Sequence, residues 1–263
     1  MITFQNYVLA KTLEEAYTLN QKKNNRIVAG MLWLRLGSAS CGTAIDISGL
    51  SLNKIEETDD EFKIGAMVSL RELEKHTSLN EYTNGAIKDA VCDIIGVQFR
   101  NLATIGGSIW GRFGFSDVLT VFLSLDTYVE LYNGGIISLN DFSKMNYDND
   151  ILVGIIVKKK PCKCSYQAVR IQRTDFPVLT CATSIIDGQV KTTVGATPMK
   201  ACLYEDENGI LKEGITAESA KAYGEYLREK VPTDSNNRGS KEYRSHLVSV
   251  LAERNLLKLG GLL

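Results

Sequence analysis

Histidine and proline are among the scarce residues of this chain, with two histidines and four prolines among 263 residues. His76 and His246, each in a polar helix-like segment, argue against an ordinary serine–histidine–acid triad, and neither G-x-S-x-G nor H-E-x-x-H occurs. No sign of charge dominates: 30 Lys plus Arg against 31 Asp plus Glu give a net charge of -1, and the longest basic run is Lys158 to Lys160. Phosphate neutralisation needs a clustered surplus of Lys and Arg, so nucleic acid is not expected as a partner. No apolar run approaches the roughly 18 residues of a spanning helix. The opening Met1 to Tyr7 lacks a basic region followed by an apolar one. The expectation is a cytoplasmic chain with no membrane span. Of the six cysteines only Cys162 and Cys164 are close together, whereas zinc or iron–sulfur sites use paired CxxC units or a four-cysteine run. No metal site is expected.

What remains is globular: 44% hydrophobic and 23% charged residues over a length that suits one large domain or two of typical size. Thr12-Leu-Glu-Glu15 is a capping-box pattern for a short helix with Leu13, Ala16 and Tyr17 inward. Strands are expected over Arg26 to Gly30 and Thr43 to Ser48, giving a small parallel βαβ unit. A strand over Phe62 to Met67, a second capping box at Ser69 to Glu72, and a stronger helix from about Glu81 to Ile95 follow. Residues 96 to 116, with five glycines and no sustained period, read as a long loop, and loops of that length tend to be functional. Ser116-Asp117 then starts an apolar helix.

Strands are expected at about 127–132, 136–139 and 151–157, then at 165–173, 178–187 and 189–196. Asp187-Gly188 is a two-residue hairpin signal. Helices over Thr216 to Lys230 and Gly239 to Leu259 close the chain. The βα elements give way to antiparallel sheet near residue 160, which is taken as the domain boundary, 1–160 and 161–263.

Little side-chain chemistry is legible, so any catalysis points to a cofactor. Two Gly-rich stretches, Ala29-Gly30 and Ala103 to Ser108, are suited to a dinucleotide. Their amides can approach a diphosphate and Thr104 and Ser108 can add hydroxyl donors. Neither matches G-x-G-x-x-G, so a Rossmann site is not expected. The same glycines also suit plain tight turns. Ser116-Asp117 reads first as a helix cap and second as a ligand to ribityl or phosphate hydroxyls. Trp33, Trp110, Phe113 and Phe115 suit either stacking on a flat ring or a core.

The stretch from Arg100 to Asp117 resembles the second flavin-binding loop of the FAD subunits of molybdenum hydroxylases, the family of xanthine dehydrogenase and carbon monoxide dehydrogenase medium chains. Against the usual R-N-x-A-T-x-G-G-N-I followed by S-D, Arg100, Asn101, Ala103, Thr104, Gly106, Gly107, Ile109, Ser116 and Asp117 match in register. Val28-Ala29-Gly30 stands where the family has its first flavin loop, and Ala44 to Leu50 looks like its I-D-I-S-x-L strand. Asp150-Ile-Leu152 resembles its E-I-L segment, and Arg170 stands near the place of a Lys by the ring. Gly195 to Pro198 and Arg238 to Arg244 resemble its C-terminal motifs.

The resemblance implies an α+β fold: a vanillyl-alcohol-oxidase or PCMH-type FAD-binding domain of two subdomains, then a C-terminal antiparallel sheet with helices. It implies FAD contacts from Val28, Ala29, Gly30, Met31, Leu32, Trp33 and Leu34. Further contacts come from Phe99, Ala103, Thr104, Gly107, Ser108, Trp110, Gly111, Ser116 and Asp117, and from Leu152 and Arg170. It also implies an electron-transfer subunit. Electrons come from a partner two-iron two-sulfur subunit, itself supplied by a molybdenum-cofactor subunit, and pass through FAD to NAD or another acceptor. The alternatives are a stand-alone FAD reductase of related fold and a flavin-free structural subunit.

Two departures stand out. The usual A-G-G-T-D-L is Ala29-Gly30-Met31-Leu32-Trp33-Leu34 here, which loses a glycine, a hydroxyl and a carboxylate. Backbone amides survive such changes, provided Met31 accepts the backbone conformation of the glycine it replaces. Ser108 replaces the usual Asn, and Gly111-Arg112-Phe113-Gly114-Phe115 replaces an N-A-S-P-like stretch.

Overall fold

The computed structural model describes residues 1–263. The chain opens with β1 (Thr3–Leu9) and α1 (Leu13–Asn20), whose first amides are met by side chains: Thr12 Oγ1 accepts from the Glu15 amide at 3.1 Å and the Glu15 carboxylate from the Lys11 amide at 2.8 Å. Strands β2 (Arg26–Val28) and β3 (Ser40–Asp46) complete a parallel sheet of order β1-β3-β2. Ala16 of α1 and Ile45 of β3 are buried together, with Leu13 and Tyr17 of α1 packed around them. The expected parallel strands β2 and β3 are present, but the α-helix precedes both: the βαβ unit is β1-α1-β2, with β3 inserted between its strands, and β1 is a strand the sequence reading missed.

Next come β4 (Ile55–Glu57), β5 (Glu61–Gly65) and α2 (Leu70–Lys75). The capping box at α2 is reciprocal, since Ser69 Oγ accepts from the Glu72 amide at 3.2 Å and the Glu72 carboxylate from the Ser69 amide at 2.8 Å. The single helix expected over Glu81 to Ile95 is instead two, α3 (Thr77–Tyr82) and α4 (Ala86–Val91). Asn84 and Gly85 between them adopt φ of 52° and 82°, left-handed values that end a helix. The Asn80 carboxamide oxygen then accepts from the Lys88 amide at 2.9 Å and starts the next one. Ile87 and Val91 are buried, whereas Ile95 is left-handed and exposed.

The expected long loop is also corrected, because it contains α5 (Val97–Arg100) and α6 (Ile105–Gly111). Helix α7 (Asp117–Ser124) begins where expected, with Ser116 Oγ accepting from the Leu119 amide at 3.0 Å, and all eight of its residues are buried. After β6 (Thr127–Leu131), β7 (Gly135–Ser138), α8 (Leu139–Lys144) and β8 (Leu152–Lys158), a five-stranded sheet of order β4-β5-β8-β6-β7 is complete. Asp150 closes the β6–β7 turn by accepting from the amides of Asn133 and Gly134 at 3.0 and 2.8 Å.

The last part is an antiparallel sheet of order β12-β11-β10-β9, formed by β9 (Cys162–Arg170), β10 (Pro177–Ile186), β11 (Gln189–Gly195) and β12 (Cys202–Glu205). Asp187 and Gly188 turn with φ of 49° and 78°, which places Ile186 opposite Gln189. Helices α9 (Ala217–Lys230) and α10 (Lys241–Leu259) bury Tyr223, Leu227, Val248, Leu251 and Leu256 together with Leu179, Cys181 and Val194 of the sheet. Each of the leucine and valine side chains contributes about 1.5–3 kcal/mol of burial.

By contact density the chain divides into two compact units. Unit 1 is Met1–Glu72, Val97–Gly111 and Tyr128–Lys158; unit 2 is Leu73–Gly96, Arg112–Thr127 and Lys159–Leu263. The chain thus crosses between units several times, one crossing falling at Lys158/Lys159. No helix is long and apolar enough to cross a membrane.

Candidate functional site

In unit 1 the two Gly-rich stretches meet. β2 delivers Val28, paired with Asp46, and the chain turns at Ala29-Gly30 directly against the second stretch. A Cβ built on Gly30 would lie 1.8 Å from the carbonyl oxygen of Leu102 and 3.3 Å from the amide nitrogen of Ala103. Only a residue without a side chain fits there.

The second stretch is held by its backbone. Leu70 N donates to Ala103 O at 2.8 Å, Ile105 N to Val68 O at 2.9 Å and Gly106 N to Ala66 O at 2.9 Å. A Cβ on Gly106 would stand 2.5 Å from that Ala66 oxygen, so this glycine serves packing. Gly107 is different. It is exposed, and a Cβ there would meet only the Thr104 hydroxyl, at 3.3 Å. Thr104 Oγ1 accepts from the Gly107 amide at 3.1 Å, which leaves its own proton to donate. Ser108 Oγ donates to Thr104 O at 3.0 Å and keeps its lone pairs.

The first stretch has spare donors. Its backbone hydrogen bonds run from Arg35, Leu36 and Gly37 back to the carbonyls of Met31, Trp33 and Leu34. The amides of Gly30, Met31 and Leu32 have no acceptor in the chain. Met31 has φ of 56°, so it does accept the left-handed conformation that glycine adopts at no cost. Met31, Leu32 and Leu34 are half-buried and Trp33 is 44% exposed. These residues fit a phosphate-bearing cofactor through backbone amides, which need no particular side chain.

The other expected contacts of unit 1 are spread through its core and surface. Phe99 and Ala103 are half-buried, and Leu152 is buried in β8. Trp110 packs on Phe142 with ring centroids 5.8 Å apart, and Gly111 O accepts from the Tyr147 hydroxyl at 2.6 Å.

In unit 2, Ser116 spends its oxygen on the cap of α7, as its first reading has it. Asp117 is 5% exposed and pairs with Arg170, whose Nη2 lies 2.5 Å from Asp117 Oδ1. The Tyr166 hydroxyl donates to the same oxygen. Burial pushes the Asp117 carboxyl up from the ordinary range, against the pull of Arg170 and Tyr166. Burial and the neighbouring carboxylate push Tyr166 well above an ordinary phenol. Tyr166 is the residue that sequence reasoning missed. Its signal is the spacing of four from Arg170, which sets both on one face of β9. Phe113 and Phe115 stack with centroids 5.3 Å apart and Phe115 meets Phe176 edge-on at 4.6 Å, so these aromatics pair among themselves.

The family described as FAD binding domain in molybdopterin dehydrogenase matches residues 2–159. The chain belongs to that family. FAD is the family's cofactor, and the segment that matches it contains both Gly-rich stretches. The uncharacterized protein YgfM of Escherichia coli (strain K12) is 25% identical over 249 residues, which span 91% of this chain and 90% of YgfM. Among solved structures, reconstituted CO dehydrogenase from Oligotropha carboxidovorans superposes with a TM-score of 0.88 at 18% identity, over 100% of this chain and 99% of that one. CO dehydrogenase from Hydrogenophaga pseudoflava gives 0.86 at 20% identity, over 97% and 96%. Quinoline 2-oxidoreductase from Pseudomonas putida 86 gives 0.82 at 16% identity, over 99% and 97%. At these identities the likeness is one of fold, and it is the mixed helix and sheet architecture expected for the family.

Proposed function

We propose that this chain is the flavin-carrying electron-transfer subunit of a cytoplasmic molybdenum hydroxylase complex, set between a partner iron–sulfur subunit and NAD or another acceptor. The observation that carries the reading is the contact of Gly30 with Leu102, which joins two stretches 72 residues apart in sequence (102 − 30) into one backbone cradle with unspent amides. FAD, when bound, supplies the redox chemistry.

The chain's own residues bind and orient. The amides of Gly30, Met31 and Leu32 and the hydroxyl of Thr104 donate to the diphosphate, while exposed Gly107 leaves room beside them. Leu152 supplies an apolar contact to the ring. The segment up to residue 160 is the cofactor-binding part. The partner subunits proposed are a two-iron two-sulfur ferredoxin-like chain and a molybdenum-cofactor chain, a reading supported by membership of the family of FAD binding domains in molybdopterin dehydrogenases.

Two measurements test this. The purified protein is expected to be yellow and to release FAD on denaturation; a colourless preparation that added FAD does not reconstitute overturns it. Native pull-down is expected to recover iron–sulfur and molybdenum subunits, whereas a lone monomer that reduces a substrate with its flavin points to a stand-alone reductase.

A further inference from the structure

Arg238 stands in the loop before the Ser240 cap of α10, and its side chain is half-buried. Its backbone amide donates to Asn236 Oδ1 at 2.9 Å, but its Nε is closed off without a partner and its terminal nitrogens make no hydrogen bond or ion pair in the chain. The guanidinium rests instead on Phe176, 4.9 Å from the ring centroid, at the end of the Phe113, Phe115 and Phe176 ladder. Stacking holds a cation by its face, whereas the N–H donors lie in its plane and stay unspent. The carboxylates of the surrounding segments are engaged elsewhere. Asp175 accepts from the Phe176 amide at 2.7 Å, Asp234 from the Ser235 amide at 2.7 Å, and Glu242 from its own amide and the Ser240 hydroxyl. Arg244, 1% exposed, adds a second guanidinium. It donates to the carbonyls of Val178, Asp234 and Gly239 at 2.9, 2.7 and 2.6 Å and to Asn236 Oδ1 at 2.6 Å, all of them uncharged oxygens. Burial holds its pKa below the ordinary guanidinium value, and Arg238 adds to that lowering against the pull of Asp234. Two guanidiniums that repel each other are thus held within unit 2 without an ion pair to either, although charge taken out of water is costly unless paired.

We infer that Arg238 anchors a binding site for a carboxylate. A carboxylate offers two coplanar oxygens to the parallel N–H groups of a guanidinium, and its single negative charge offsets the one cation that lacks any polar partner. A phosphate would need further donors for its remaining oxygens. None is on offer, because the amides at the start of α10 are already taken: Lys241 N donates to Ser235 Oγ at 2.8 Å and Tyr243 N to Ser240 Oγ at 3.2 Å. Phe176 fixes the plane of the guanidinium in advance, so little side-chain freedom is lost on binding. The carboxylate belongs either to a free organic acid or to an Asp or Glu side chain of a partner polypeptide, and the recognition chemistry is the same for both. The site lies within unit 2 and stands apart from the flavin reading.

The test is a nuclear magnetic resonance titration of the full chain with sodium acetate, inorganic phosphate or sodium chloride at constant ionic strength. It follows the Arg238 Nε–H resonance, identified by its loss in Arg238→Gln, or in Arg238→Lys if the Gln variant does not fold. Acetate is expected to move that resonance along a saturating curve, with an affinity at least about tenfold above that of phosphate, and chloride to leave it in place. A response to acetate that never saturates, or one that chloride reproduces, shows an arginine that only stacks on Phe176 and overturns the inference. Phosphate binding as tight as acetate binding overturns the carboxylate assignment. Arg238→Lys keeps the charge but not the fork, and the amide signals of Gly239 and Ser240 are expected to report acetate binding weaker by at least about fivefold. Equal affinity in the Lys variant overturns the role given to the guanidinium. Native co-purification separates the two sources. If Arg238→Gln loses a partner subunit at unchanged flavin content, the carboxylate is that partner's, and if recovery is unchanged it is a free acid. A wild type that brings down neither flavin nor subunits overturns the proposed function, while the acetate titration still decides the present inference.

Discussion

Gly30 touches the carbonyl of Leu102 so closely that no side chain fits between them, a Cβ at residue 30 falling 1.8 Å from that oxygen. Both partners are backbone, so neither can swing away. Gly30→Ala must therefore separate the two loops. Overpacking of this kind costs about 1–3 kcal/mol, and the upper end is expected, with loss of bound FAD. Thermal melting and the flavin-to-protein absorbance ratio check it, and an alanine variant that keeps full flavin would remove the cradle from the account.

Met31 occupies a left-handed backbone at φ of 56°. A non-glycine residue pays about 1–2 kcal/mol there, and β-branched residues are the worst suited. Met31→Gly is expected to hold stability within about 1 kcal/mol, the relief of strain offsetting the lost half-buried side chain and the greater freedom of the unfolded chain. Met31→Val is expected to lose at least about 1 kcal/mol and to weaken FAD binding. Denaturant titration of the two variants reads the difference. Equal stabilities would show that the loop relaxes out of the left-handed state.

Much of this fold is legible where a local side chain dictates the backbone. Thr12, Ser69 and Ser116 all cap helices as their spacing says, and Asp187-Gly188 makes the tight hairpin. The failures share a cause: the deciding group is backbone or far away. Helices α5 and α6 are too short to show a 3.6-residue period, and α6 is placed by amides bonded to Val68 and Ala66. The break at Asn84-Gly85 depends on a backbone sign that a helical pattern does not display. For the candidate site, the resemblance points to both stretches, but the Gly30–Leu102 contact that joins them is between two backbones. Tyr166 meets Asp117 across 49 residues, and the local pattern offers only its spacing of four from Arg170 on β9.

Gly107 tests the phosphate position without disturbing the fold, since its Cβ direction is open except for the Thr104 hydroxyl at 3.3 Å. Gly107→Ala is expected to fold and keep most of its flavin. Gly107→Asp adds a negative charge beside the diphosphate. Two unit charges about 4 Å apart repel by about 1 kcal/mol in water and about 4 kcal/mol near a protein surface, which is roughly a five- to thousandfold loss of affinity. Reconstitution with FAD measures it, and unchanged flavin content in the Asp variant would show that the phosphates lie elsewhere.

Asp150 accepts from three backbone amides, those of Asn133, Gly134 and Ile151, the last at 2.7 Å. It thereby fixes the β6–β7 turn and the start of β8, two residues before Leu152. Hydrogen bonds to a charged group contribute about 1.5–3 kcal/mol each in net terms, although three on one carboxylate do not add. Asp150→Ala is expected to destabilise the chain by about 3 kcal/mol and Asp150→Asn by less, because the amide retains one good acceptor. Equilibrium unfolding ranks the two, and an alanine variant as stable as the wild type would show that the turn is held by other means.

The cysteines give a chemical check on burial. Burial pushes the Cys164 and Cys181 thiols up to about 12 and Cys162 up to about 11, whereas Cys202 is exposed. The thiolate is the reacting form, and at pH 8 its share at Cys164 or Cys181 is on the order of one in ten thousand. Iodoacetamide at pH 8 is therefore expected to modify Cys202 in the folded chain and to reach Cys164 and Cys181 only after denaturation, as peptide mass mapping would show. Since none of the six forms a disulfide and none belongs to a metal-binding group, a chelator is expected to leave the melting temperature unchanged. Rapid labelling of Cys164 and Cys181 in the native state would mean that the interface of β9 and β10 with α7 and α10 opens far more often than its packing implies.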